Sequence, residues 1–141
     1  MITRTTTRHA VVLGPILAAI LITPASRAQS LCSDATMKGA YVLSQTGTQN
    51  GTPFAIVGEA TYNGHGGGSV TATEMRGGTL IPIVGAPATF KVNPDCSGSK
   101  TVGPFNFNFV ITPDGKTITF VQTDSGVVSA GKAKRLTQNG D

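Results

Sequence analysis

From position 41 to position 136 the chain is a succession of short runs in which apolar and polar residues alternate, each cut off by Gly, Asn, Pro or Asp. A two-residue alternation marks strands with one face buried, and no stretch of this region carries the 3.6-residue period of a helix. The runs predict about eight strands, over 41–46, 54–62, 68–76, 79–84, 88–92, 105–111, 117–123 and 127–136, after a lead-in over 29–38 with at most one helical turn. Asn63-Gly64-His65-Gly66-Gly67, Gly77-Gly78 and Gly85-Ala86-Pro87 are read as reversals, as are Asn93-Pro94-Asp95-Cys96-Ser97-Gly98, Thr112-Pro113-Asp114-Gly115 and Asp124-Ser125-Gly126. Glycine supplies the positive φ that tight hairpins need, and proline cannot donate to a ladder.

The connections are too short for parallel crossovers, so neighbouring runs pair antiparallel in simple up-and-down order. An open sheet of this many strands has two exposed edges, and closure removes them. The predicted fold is therefore all-β, a small antiparallel up-and-down β-barrel of about eight strands. An immunoglobulin-like sandwich is the rival. The chain has no Trp, and its two cysteines do not fall in two facing strands, which speaks against it.

Phase along the runs assigns faces. Phe105, Phe107, Phe109 and Ile111 point one way, with Asn106 and Asn108 opposite; Val70, Ala72, Glu74 and Arg76 share a face, with Ser69, Thr71, Thr73 and Met75 behind it. Eight strands enclose either packed side chains or one small ligand.

Residues 1–28 read as a secretory signal peptide. Arg4 and Arg8 precede an apolar run from Ala10 to Ile22, and Ser26 and Ala28 are the small residues before the cut. The apolar run is short for a membrane span, which needs about 20 residues. The expectation is a single barrel domain over 29–141, secreted or periplasmic, with no stable membrane insertion once the signal is removed. Export also changes the charge. Of the net +4, three cations (Arg4, Arg8 and Arg27) leave with the signal, and eight basic side chains remain against seven acidic. With no broad basic face, nucleic-acid binding is disfavoured.

The two cysteines, Cys32 and Cys96, are expected to form a disulfide between the lead-in and the turn after the fifth run. No metal is expected, because His65 is the sole histidine after the signal and sits in a glycine turn; no other cofactor is expected either. Gly64-His65-Gly66-Gly67-Gly68 lacks the Lys-Ser/Thr and the following helix of a phosphate loop. Among acidic residues only Glu59 and Glu74 fall well inside predicted strands, and a lumenal carboxylate with a raised pKa is the candidate acid or base. Tyr41, Tyr62, Asn106 and Asn108 are candidate ligand-binding hydrogen-bonding groups, each weighed against ordinary packing or exposure.

Gly39-Ala40-Tyr41, at the start of the first strand, resembles a reduced form of the lipocalin (calycin) Gly-x-Trp motif, with Tyr in place of Trp. The resemblance implies that Arg135 or Lys134, on the last strand, packs over Tyr41 and closes the barrel. Lys38-Gly39-Ala40-Tyr41, Tyr62-Asn63-Gly64-His65-Gly66, the segment from Val92 to Gly98 and the segment from Gln122 to Gly126 together resemble short secreted bacterial barrel proteins, and through them the allene-oxide-cyclase-like barrels. These segments imply fold more than chemistry. The functional expectation is a lumen that binds a small, mostly apolar ligand. The alternatives are a cyclase or isomerase acting in the lumen, triggered by Glu59 or Glu74, and a structural or surface-interaction module.

Overall fold

The computed structural model describes residues 31–137, so the expected signal peptide over 1–28 lies outside the described residues. Eight strands follow a single 3-10 turn at Asp34–Thr36: β1 (Lys38–Gln49), β2 (Thr52–Asn63), β3 (Gly67–Arg76), β4 (Thr79–Val92), β5 (Ser97–Val102), β6 (Phe105–Ile111), β7 (Thr117–Gln122) and β8 (Val127–Arg135). Each pairs antiparallel with its neighbour in sequence, and β8 pairs back onto β1, giving a closed up-and-down barrel. The architecture is compatible with a calycin-like barrel.

Strand ends shift by a few residues, β1 and β2 running up to the Asn50-Gly51 turn, and two larger differences from the sequence expectation compensate in the strand count. The runs expected over 79–84 and 88–92 are one strand, β4, continuous through Gly85-Ala86-Pro87. Instead of reversing the chain, Gly85 sits in a bulge. The β3–β4 register shifts by one between Val70 and Ala72, Gly85 has φ +57°, and its N–H donates to Thr71 Oγ1 at 3.1 Å. A lone left-handed glycine serves a turn or a bulge equally well, and here the bulge bends the strand around the barrel. The missing strand is β5, over a segment expected to be part of a connection. Its Ser-Gly-Ser-Lys-Thr sequence offers little apolar alternation; the aromatic strand β6 supplies the packing instead. Lys100 lies opposite Phe107 and Gly98 opposite Phe109, whose ring occupies the space a Gly98 side chain would take.

Alternation puts Phe107, Phe109, Ile111, Ile118, Phe120, Val70, Ala72, Ala60, Tyr62, Tyr41 and Leu43 inside. The lower part of the lumen is solid. Tyr41, Tyr62 and Phe90 stack edge to face, with centroids 5.6 and 5.5 Å apart, and Met37, Ile111 and Ile118 fill the remaining volume.

The lead-in closes this end. Cys32 is bonded to Cys96 in the β4–β5 turn, with Cα atoms 5.0 Å apart, as expected from the sequence. The backbone N–H groups of Leu31 and Cys32 donate to the Pro94 carbonyl. Asp34 accepts from the Val92 N–H at 2.7 Å and pairs with Lys91 at 3.3 Å. The Val92 bond holds its carboxyl below the usual range, and Lys91 adds to the effect.

Candidate functional site

The closure foreseen between first and last strand is present. Tyr41 and Arg135 are register partners, and the guanidinium lies 5.5 Å from the Tyr41 ring centroid. Arg135 Nε and Nη2 donate to Tyr41 Oη at 3.2 and 3.0 Å, Nη2 also donates to the Thr36 carbonyl at 2.8 Å, and Tyr41 Oη donates to the Gly115 carbonyl at 2.7 Å. One phenol and one guanidinium therefore link β1, β8, the lead-in and the β6–β7 turn. Gly115 has φ +68°, and a Cβ there would collide with the Thr36 carbonyl and Arg135, so only glycine fits. Tyr41 belongs to this floor and does not line a binding site.

Above the floor the lumen is hollow. A cavity of about 240 Å³ opens toward the β1–β2, β3–β4 and β5–β6 turns, and its walls are mainly apolar: Leu43, Phe54, Ile56, Val70, Ala72 and Phe107 among them. It exists because β2 and β3 turn small residues inward at mid-height, while the β1–β4 strands extend beyond the shorter β5–β7 strands.

Three polar side chains are buried among the described residues, Gln45, Glu74 and Lys100, and all three line this cavity. Glu74 is 4 % exposed, and its Oε1 accepts from Arg76 Nε at 2.6 Å near the mouth. Gln45 Nε2 donates to Gln122 Oε1 at 3.1 Å and Ser129 Oγ at 2.9 Å, and Gln122 in turn donates to Asp124 at 2.9 Å. Lys100, from the unforeseen strand β5, is 5 % exposed. Its Nζ donates to Tyr62 Oη at 3.2 Å and lies over three rings, 4.1 Å from the Phe120 centroid, 5.4 Å from Phe107 and 5.7 Å from Tyr62. Burial pulls the amine from 10.5 down to about 8. Burial, with Tyr41 adding to it, pushes the Tyr62 phenol up.

The candidates from sequence thus separate. Glu59 lies on the outer face, exposed and opposite Thr71, so it is corrected out of the lumen; the β2 phase that buries Ala60 and Tyr62 turns it outward. Asn106 and Asn108 are likewise exposed on the outer face of β6 and are not lumenal groups. Asn106 instead holds the β7–β8 turn, its backbone N–H and side-chain amide donating to Asp124 at 3.0 and 2.9 Å. Glu74 and Tyr62 are inside.

Lys100 and Gln45 were not anticipated. The available signal for Lys100 was spacing: seven residues lie between Asp95 and the Gly103-Pro104 pair, enough for one hairpin strand, and Gly98, Lys100 and Val102 share one phase of it. His65 is exposed in its turn, where its backbone N–H donates to Asn63 Oδ1 at 2.7 Å. Among the described residues no group of three His, Cys, Asp or Glu side chains is placed to hold a metal.

Comparison of the chain with protein-family models, with curated proteins and with solved structures finds no match in any of the three.

Proposed function

We propose that this barrel is an exported binding protein for a small, mostly apolar molecule held in the lumen. The observation that carries the reading is the apolar-walled cavity of about 240 Å³ between a solid floor and an open mouth. A filled interior would have favoured a purely structural module. At about 30 Å³ per water-sized group, the cavity suits a body of roughly eight non-hydrogen atoms, with room for a longer tail at the mouth. The disulfide, the expected signal peptide and the resemblance to secreted bacterial barrels support export.

Catalysis in the lumen, as in a cyclase or isomerase, is the second reading. It is favoured by one observation, the buried Glu74 carboxylate in the cavity wall. The pairing of that carboxylate with Arg76 favours binding over proton transfer, because the guanidinium already occupies one of its oxygens.

Native mass spectrometry of the protein purified from its own exported fraction tests both. A reproducible co-purified small molecule, absent from an Ala72→Phe variant whose added ring fills the cavity, is the expected result. A molecule that changes mass on incubation with the protein moves catalysis ahead. Empty protein that also takes up no apolar probe would overturn both.

A further inference from the structure

We infer that the lumen is specific for an acid: its ligand is a small apolar carboxylate whose head group seats on the Lys100 ammonium while its body lies along the apolar wall. This inference rests on the reading of the lumen as a binding site and adds the chemistry of the head group.

The reasoning begins with an imbalance of charge. Among the described residues the ion pairs are Arg76 with Glu74 and Lys91 with Asp34, so Lys100 has no carboxylate partner although it is 5 % exposed. An ammonium carries three N–H donors. One is directed at Tyr62 Oη, and the other two have no protein acceptor. Tyr62 does not neutralise the charge, because burial holds its phenol in the protonated form. The faces of Phe120, Phe107 and Tyr62 attract the cation but accept no strong hydrogen bond. Glu74 and Arg76, the other charged groups on the wall, cancel each other. The interior therefore carries one uncompensated positive charge in an apolar surrounding.

Leaving a buried charge unpaired is costly, and a charge-assisted hydrogen bond to an anion relieves that cost. A monoanion matches a single cation, whereas a phosphate dianion would bring a second charge into walls that cannot answer it. Arg76 is the less suitable seat, since its Nε is engaged by Glu74 and its side chain is about one-third exposed at the mouth.

Calorimetric titration with octanoate, octan-1-ol and octylammonium, with lumenal backbone amides followed by NMR, tests the inference. Octanoate is expected to bind at least about tenfold more tightly than octanol, and octylammonium not to bind. Lys100→Met is expected to remove the preference, lowering octanoate to the level of octanol. Wild-type protein gives a check that needs no variant. The titratable groups that share the lumen with the amine are Tyr62 from β2, which it touches, and Glu74 and Arg76 from β3 on the same cavity wall, with Gln45 of β1, Phe107 of β6 and Phe120 of β7 carrying no titratable group. As the amine loses its proton, octanoate affinity should fall between about pH 7 and about pH 10 while octanol affinity stays flat. A flat octanoate profile, or octanol binding as tightly as octanoate, overturns the acid specificity and leaves apolar binding standing. No perturbation of lumenal amides by either probe overturns the binding reading itself.

Discussion

Two cations in this barrel each sit beside a tyrosine, and their surroundings give them opposite roles. At the closed end Arg135 and Tyr41 lie among backbone carbonyls: the guanidinium reaches Thr36, the phenol reaches Gly115, and each reaches the other. In the lumen Lys100 and Tyr62 meet only each other and aromatic faces. The same pairing of residue types is thus a clasp where acceptors surround it and, on the binding reading proposed above, the seat of a ligand head group where they do not. Hydrogen-bond satisfaction, more than residue identity, separates the two pairs.

The largest expected effect tests whether the closed end is the mechanical base. Replacing both Cys32 and Cys96 with Ser releases a link spanning 64 residues, and the chain-entropy account gives a loss of roughly 4 kcal/mol in urea unfolding. An unchanged midpoint would mean that the lead-in is held by its hydrogen bonds alone.

Lys100→Met should do the reverse and stabilise the unliganded protein. The folded-state value of about 8 lies below the ordinary 10.5, and at about 1.4 kcal/mol per unit the burial penalty is roughly 3 kcal/mol as an upper figure. The sign follows from proton counting. Between about 8 and 10.5 the unfolded chain holds a proton that the folded one has lost, so wild-type stability rises with pH across that window. The gain from Lys100→Met is therefore complete below about 8 and fades toward 10.5. Melting curves of both proteins across the window check it, and a variant less stable than wild type at neutral pH would place Lys100 with the clasp.

Arg135→Met should cost about 2 kcal/mol, because it leaves the Thr36 carbonyl without its donor and strips Tyr41 of two charged hydrogen bonds. The contrast in sign with Lys100→Met is the sharpest form of the comparison. Tyr41→Phe should cost about 1–2 kcal/mol by removing the bond to Gly115. Glu59→Gln, on the outer wall, should change stability by no more than about 0.5 kcal/mol and ligand affinity not at all. Chemical denaturation and the octanoate titration measure all three.

Much of the site was legible in part. The phase that puts Val70 and Ala72 inside carries Glu74 with them, and the phase that buries Tyr62 turns Glu59 out. The resemblance of Gly39-Ala40-Tyr41 to the Gly-x-Trp motif implied Arg135 or Lys134 over Tyr41, and the register pairs Tyr41 with Arg135. Asn106 and Asn108 were assigned to the face opposite the Phe residues, which already argued against a lumenal role; Asp124 shows what Asn106 does instead. Lys100 was hidden because Ser97-Gly98-Ser99 reads as a loop, and Gly85 because a bulge and a reversal use the same backbone.

The sequence by itself determined what is local, strand phase and antiparallel order, and it supplied the two cysteines available for a disulfide. These follow from alternation, turn residues and connection length, which act over a few residues. Only the tertiary structure decided that β4 runs on through Gly85, that β5 is a strand at all, and that the lumen is solid below and hollow above. Those outcomes depend on which side chains meet across the closed barrel. A polar segment becomes a strand because the Phe residues of β6 cover it, and its lysine is buried because closure leaves that phase no other direction in which to point.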